Sequence, residues 1–394
     1  MTSQLYETVR QFTVALVQKP IEVVSKPGLS DWDAVLPSTQ LLAEFPLIPP
    51  TDKVLLFGTH SGALSVALAR KLPHGQLWIT DRDNIALEMT RKTLAANRIS
   101  SVNILTDSCL PELDGIGVDA VLMQLPKGRK LTRRWLLQAY QALIPGGSLY
   151  LAGANKSGIK SAIGDAQELY GKGQILAYKK GNRLTHLVKN STAQALPAWT
   201  QEPGILPGTW MEFSAILSNH NFQIHSLPGV FSYDHLDAGT QMLLNAMCVP
   251  SGARVLDVGC GYGIIGMYAA FQGASWVDLV DNDLLAISSC KETISLNQIG
   301  NTSILAGDLL DPFRLKRYDL ILSNPPFHAG LEVNYQITAA LIEQSYHMLN
   351  PGGQITIVAN RFIPYDHLME DVFGDVSCLV ESGKFRLLSA IKSK

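Results

Sequence analysis

The sequence predicts an α/β protein built from two tandem copies of one domain, each a mostly parallel sheet interleaved with helices. Three observations predict it. The chain has 394 residues, more than a single hydrophobic core usually serves. Short apolar runs alternate with amphipathic stretches, the pattern of βαβ units. Distinctive residues also recur at a steady offset, the mark of an internal duplication. Val54-Leu-Leu-Phe-Gly58 parallels Val255-Leu-Asp-Val-Gly259 at an offset of 201. Asp81 and Asp281, Asn97 and Asn297, and Asp119 and Asp319 are each 200 apart, and Asp107 and Asp308 are 201 apart. Gln124-Leu-Pro126 stands where Asn324-Pro-Pro326 stands, again at 200, and Pro145-Gly-Gly147 pairs with Pro351-Gly-Gly353 at 206. The second copy therefore carries six extra residues after its Pro-Pro pair.

In the second copy the strands fall at Arg254–Val258, Trp276–Asp281, Thr302–Leu305, Leu320–Ser323 and Gln354–Ala359, with amphipathic helical segments such as Leu284–Gln298 between them. Ahead of them, Met211–Ile216 and Asn221–Ser226 read as a short hairpin leading into Leu227-Pro-Gly-Val-Phe231. Ser191–Gly208 holds three prolines, two glycines and no Lys or Arg, which predicts a linker between a domain over 1–190 and one over 209–394.

Composition excludes several classes. With 46% hydrophobic and 17% charged residues the chain is globular rather than disordered. Five cysteines, an odd number without CxxC spacing, argue against a disulfide framework or a zinc ribbon and for reduced thiols with no bound metal. The N-terminal stretch has no apolar core of a signal peptide, and no run approaches the roughly 18 apolar residues of a membrane helix. A cytoplasmic protein with no membrane partner is expected, and two domains in one chain are compatible with a monomer.

The strand ending at Val258 runs into Gly259-Cys-Gly-Tyr-Gly263 and then an apolar helix. In open α/β sheets, ligands bind beyond the carboxyl ends of the strands, where the strand order reverses. Gly259, Gly261 and Gly263 let the backbone turn tightly and approach a ligand. Asp281, closing the next strand, suits the two hydroxyls of a ribose, and Asp308 suits an adenine amine; Asn282 and Leu309 follow them directly. Gly261-Tyr-Gly-Ile-Ile-Gly266 also matches the dinucleotide pattern GxGxxG, so NAD and S-adenosylmethionine both remain open on the glycines alone. Asp257 inside the loop tips the choice: a carboxylate there would repel a pyrophosphate but tolerate a sulfonium and an ammonium.

The next strand ends in Asn324-Pro-Pro-Phe-His328. An exocyclic amine on a base is a poor nucleophile because its lone pair is delocalised into the ring. The Asn324 side-chain oxygen and the carbonyl of Pro325, held outward by the fixed φ of Pro326, can each accept one N–H of such an amine. Two acceptors aim the lone pair at a methyl group and favour the positive charge that develops on nitrogen. Phe327 offers a stacking face worth about 1–3 kcal/mol, and His328 is placed to steer the substrate or help remove a proton.

NPPF at this place resembles the signature of amino-methyltransferases acting on bases or on glutamine side chains. Asn324–His328, with Leu227-Pro-Gly-Val-Phe-Ser232, Leu236-Asp-Ala-Gly-Thr-Gln241, Val358-Ala-Asn-Arg-Phe-Ile-Pro-Tyr365 and Gly383-Lys-Phe385, resembles more narrowly the ribosomal RNA guanine-N2 methyltransferases. The resemblance implies two tandem class I (Rossmann-like) methyltransferase domains with a degenerate first copy. It implies S-adenosyl-L-methionine as donor, a guanine in ribosomal RNA or in a partly assembled ribosomal subunit as acceptor, and Asp237, Gly239 and Thr240 beside the cofactor. A protein-glutamine N5-methyltransferase of the release-factor type and a non-catalytic ribosomal RNA-binding assembly factor stay open as alternatives.

The first copy has lost the chemistry. Leu56 stands at the place of Asp257, Ser61 at that of Tyr262, and Gln124-Leu-Pro-Lys127 at that of the NPPF motif. One extra methylene misplaces the acceptor, and an ammonium cannot stack as Phe does. In exchange there are basic runs: Lys127, Arg129, Lys130, Arg133 and Arg134 after the fourth strand, and Lys156 and Lys160 after the fifth. They are expected on one rim of the sheet as an RNA grip. The net charge of -2 hides this division, since residues 51–190 carry 19 Lys and Arg against 10 Asp and Glu, whereas residues 191–394 carry 10 against 19.

Overall fold

A computed structural model describes residues 6–105, 117–190, 195–325 and 331–393, without the side chains of 331–334. Asp107, Cys109 and the motif residues Pro326, Phe327 and His328 lie outside the described residues. The chain divides into two compact units, Val9–Trp210 and Met211–Lys394, the second of which also takes in residues of Met1–Thr8.

The first unit begins with a hairpin, β1 (Arg10–Leu16) and β2 (Lys19–Ser25). It continues through α1 (Pro37–Glu44), β3 (Lys53–Phe57), α2 (Ala63–Lys71), β4 (Gln76–Thr80), α3 (Asn84–Ala96) and β5 (Val102–Leu105). It ends with β6 (Val118–Gln124), α4 (Arg129–Ala142), β7 (Leu143–Ala154), α5 (Ile159–Tyr170), β8 (Gln174–Lys179) and β9 (Asn182–Val188). The second unit repeats the series: the hairpin β10 (Met211–Leu217) and β11 (His220–Ser226), then α6 (Ala238–Ala246), β12 (Arg254–Val258), α7 (Ile264–Phe271), β13 (Trp276–Asp281), α8 (Leu284–Leu296) and β14 (Thr302–Ala306). Then come β15 (Tyr318–Ser323), α9 (Leu331–Met348), β16 (Leu349–Asn360), α10 (Tyr365–Phe373), β17 (Val376–Glu381) and β18 (Phe385–Ile391).

Each unit holds a seven-stranded sheet, ordered β5-β4-β3-β6-β7-β9-β8 and β14-β13-β12-β15-β16-β18-β17. In the second, β14 through β16 are parallel and β17 and β18 antiparallel. The order reverses between β12 and β15, so the glycine loop after β12 and Asn324 after β15 flank the switch point. The two predicted α/β copies are both present. The strands lie where the sequence places them, with β15 and β16 starting earlier, at Tyr318 and Leu349.

The residues that revealed the duplication hold the two frameworks together in the same way. Asn97 grips the backbone of Glu22, accepting from its N–H at 3.2 Å and donating to its carbonyl at 2.6 Å. Asn297 does the same to Gln223 at 3.1 and 2.7 Å. Asp119 accepts from the N–H of Lys53 at 2.8 Å and Asp319 from that of Arg254 at 2.9 Å, each pinning the start of the neighbouring strand.

Two expectations are corrected. The Ser191–Gly208 stretch is not a loose tether where it is described. Trp199 and Ile205 are buried, the Trp199 indole donates to Glu168 at 2.8 Å, and Arg134 donates to the carbonyl of Gly204 at 2.6 Å. Prolines signalled the irregular path, but the apolar Trp199 and Ile205 carry it onto the first unit. Arg134, expected to contact RNA, is 1% exposed and is consumed by that contact.

Replacing Asn297 with Ala frees two backbone groups of the hairpin and should cost about 1 kcal/mol. A lower urea midpoint with an unchanged slope would show it; an unchanged midpoint would mean the hairpin is held by packing alone.

Candidate active site

Asn324 leaves the carboxyl end of β15 with its amide locked. Its Nδ2 donates to Thr240 Oγ1 at 2.9 Å and to Asp237 Oδ2 at 3.2 Å. Both partners sit at the start of α6, where Asp237 caps the helix by accepting from the N–H of Thr240 at 3.0 Å. Gly239 leaves room for this meeting: a β-carbon there would lie 3.0 Å from Asp237 Oδ2 and 2.9 Å from Val358 Cγ1. With both N–H groups of the amide spent, Asn324 Oδ1 is the end left for a ligand. It is buried and has no hydrogen-bond partner among the described residues. Pro325 follows it, buried. A buried acceptor without a donor costs about 1–3 kcal/mol, so it is expected to meet a donor brought by a ligand.

Across the switch point, Gly259, Gly261 and Gly263 adopt φ of +71°, +55° and +89°, the left-handed region that glycine enters freely. Among the described residues nothing lies within 4 Å of a β-carbon built on Gly259 or Gly261, so the loop presents bare backbone on that side. At Gly263 a β-carbon would fall 2.6 Å from Cys290 Sγ, because α7 starts hard against α8. Asp281 pins the loop, accepting from the N–H of Gly261 at 2.8 Å on one oxygen and from that of Asp283 at 2.8 Å on the other. Asp308 follows β14 at the same end of the sheet, tied to Asp281 by the Gly307 N–H donating to the Asp281 carbonyl at 3.0 Å. Asn282 is half-buried, and Leu309 holds a left-handed φ of +48°.

Asp257 does not line this loop. It is fully buried, and its Oδ2 accepts from the N–H of Gly266 in the first turn of α7 at 2.8 Å. Burial, partly offset by that bond and reinforced by nearby Asp281, pushes its carboxyl up to about 7. Strand alternation turns the side chain beneath the loop, where Oδ2 shapes the helix start and Oδ1 is buried with no hydrogen-bond partner among the described residues.

The first unit has the same architecture with the opening closed. Gln124 is 4% exposed, and both ends of its amide are used: Oε1 accepts from Ser38 at 2.8 Å and Nε2 donates to Thr39 at 2.7 Å. Its side chain lies against Gly58, 2.9 Å from a β-carbon built there. α1 has no side-chain cap where Asp237 caps α6. Asp81 still accepts from the N–H groups of Thr59 and Asp83, at 2.8 and 3.0 Å, so it persists as a loop anchor.

The basic run after β6 is in part a structural cluster. Arg129 pairs twice with the buried Asp165, at 2.7 and 2.9 Å. Arg133 reaches Asp165 at 3.0 Å and Glu202 at 3.3 Å. Burial alone would raise the Asp165 carboxyl, but the hydrogen bonds from these two arginines hold it below its ordinary value. Lys130 is half-buried. Lys127, Lys156 and Lys160 are exposed, and the parallel pairing of Gln124 with Ala152 puts the strand ends before them side by side.

Comparison with known proteins accords with this arrangement. The methyltransferase small domain family model matches residues 20–185 and again 221–389. The chain belongs to this family. Among curated members, the ribosomal RNA small subunit methyltransferase C of Psychromonas ingrahamii is 35% identical over 276 residues, 69% of this chain and 76% of the relative. That of Pseudomonas entomophila is 35% identical over 71% of this chain and 82% of the relative. Among solved family structures, the T. thermophilus 16S rRNA N2 guanine methyltransferase RsmC, in complex with AdoMet and guanosine, superposes over 100% of both chains with a TM-score of 0.80 at 25% identity.

No group of three or more metal-ligating side chains occurs among the described residues, no described helix is long and apolar enough to cross a membrane, and the four described cysteines are free.

Asp257 generates a pH prediction. Its folded value lies above its unfolded one, so between about pH 4 and 7 the folded state keeps a proton the unfolded chain has lost. Stability therefore falls as pH rises through that window, by at most roughly 1.4 kcal/mol per unit, and levels off above it. Urea titrations of wild type and Asp257→Asn should diverge progressively from about pH 4.5 to 7; a gap that stays constant with pH would contradict the assignment.

Proposed function

We propose that this chain transfers a methyl group from S-adenosylmethionine to the exocyclic N2 amine of a guanine in small-subunit ribosomal RNA, in the cytoplasm. The second unit does the chemistry and the first holds RNA. The observation that carries the reading is the locked Asn324 amide, whose buried Oδ1 lacks a donor. Family membership over both copies supports it, and so do relatives named as small-subunit ribosomal RNA methyltransferases. The glutamine-methyltransferase alternative has no comparable support.

S-adenosylmethionine, when bound, supplies an electrophilic methyl group on a sulfonium. Asp281 would hold the ribose, Asp308 the adenine amine, and the backbone of Gly259–Gly263 the rest of the donor. Asn324 Oδ1 and the Pro325 carbonyl accept the two N–H bonds of the guanine amine and orient its lone pair. Both acceptors stabilise the positive charge that grows on nitrogen as the bond to carbon forms. The surplus proton leaves the methylated amine afterwards. The target base is taken out of its stack, as chemistry on a base edge requires.

Asn324→Ala should lower methylation of unmodified 16S ribosomal RNA by roughly 100-fold or more, while S-adenosylhomocysteine binding by calorimetry stays within a few fold. Label from the donor appearing on adenine or only in protein would overturn the reading.

For the first unit, changing Lys127, Lys156 and Lys160 to Glu should weaken RNA binding and reduce its log–log salt slope by roughly 0.7 per lost phosphate contact, with donor affinity unchanged. Equal RNA affinity across salt would rule out the division of labour.

A further inference from the structure

The first residues of the chain belong to the catalytic unit, although hundreds of residues of the other copy separate them from it in sequence. One contact ties them directly to the loop after β14, and a second reaches it through Gln344 of α9. Tyr6 is 2% exposed, and its hydroxyl donates to Asp308 Oδ1. Glu7 accepts from Gln344 Nε2 at 3.0 Å, and the Oε1 of the same Gln344 accepts from the N–H of Leu310 at 3.4 Å. The loop so held is strained and crowded. Leu309 carries a φ of +48°, which L residues adopt at a cost of order 1 kcal/mol, and at Gly307 any β-carbon would collide with Pro312.

We propose that Tyr6 is a positioning residue of the cofactor site: by holding the Asp308 carboxylate, it sets the acceptor that reads the adenine amine of the donor. This rests on the functional reading above, in which Asp308 faces that amine. Asp308 is 8% exposed, and the charge-assisted hydrogen bond from Tyr6 restricts the rotamer freedom that would blunt its selectivity. Gln344 steadies the same loop through its backbone, so the N-terminal segment acts on the donor site at a side chain and at a peptide group. A chain without this segment would retain the glycine loop and Asp281 but would hold the adenine end loosely.

The test compares two ligands that differ only at the amine, S-adenosylhomocysteine and its 6-desamino analogue, in which hydrogen replaces the purine amine, by calorimetry on the full-length protein. Tyr6→Phe removes the hydroxyl and keeps the ring packed. It should weaken the adenosyl ligand about five- to tenfold and leave the desamino ligand unchanged, so discrimination between them falls by the same factor. Asp308→Asn should lower discrimination too, and Tyr6→Phe added to it should lower it no further. Equal weakening of both ligands would make Tyr6 merely structural and overturn the proposal. Tighter adenosyl binding would overturn it as well, because Tyr6 would then be competing with the amine. A wild-type protein that bound neither ligand would instead defeat the donor reading itself, independently of Tyr6.

Discussion

A primary amide has two unlike ends, and a site can use one of them only if the other is tied down. Asn324 is tied down at its nitrogen by Asp237 and Thr240. Hydrogen bonds to a charged group are worth about 1.5–3 kcal/mol, which is enough to fix the amide against flipping. The start of α6, the end of β15 and the flank of β16 at Val358 must all be in register for that lock to close. Gly239 is the residue that lets them meet. The result is a buried oxygen with its direction set before any ligand arrives, the kind of preorganised acceptor that stabilises developing positive charge without further rearrangement.

The duplication gives an internal control for this interpretation. Both copies retain the devices that build the sheet: the asparagine grip on the hairpin, the aspartate that pins the neighbouring strand, and the aspartate under the loop after the first parallel strand. They part at the lock. In the first copy Ser38 and Thr39 satisfy both ends of Gln124. The amide oxygen already has its donor within the fold, and the longer side chain lies against the glycine that would line a donor site. The same frame thus carries an amide that is closed on itself in one unit and open to a ligand in the other. The charge difference between the halves follows that division, with the exposed lysines on the rim of the closed unit.

Much of this was legible in the residues. Parallel strands are continuous apolar runs, so their positions could be read closely, and the loop chemistry of Gly259–Gly263 and Asp281 depends on backbone shape that glycine signals directly. Other features were misread for one shared reason: the pattern shows which residue type stands where, but not what it faces. Asp257 sits next to a ligand loop in sequence, yet strand alternation buries it under α7. Arg134 belongs to a basic run, yet helical periodicity turns it inward to Gly204. The proline-rich stretch before Met211 contains Trp199, whose indole finds Glu168, so apolar burial outweighs the linker composition.

The sequence alone determined the duplication, the two α/β sheets, the switch-point site and the residue types of the chemistry, because each depends on local periodicity or on a short motif. Tertiary structure alone decided which end of Asn324 faces a ligand, why Gln124 faces none, and that Tyr6 reaches Asp308. Those outcomes rest on contacts between residues 84 to 302 positions apart. No local pattern encodes such contacts, since their partners meet only after the sheet has brought its strand ends together.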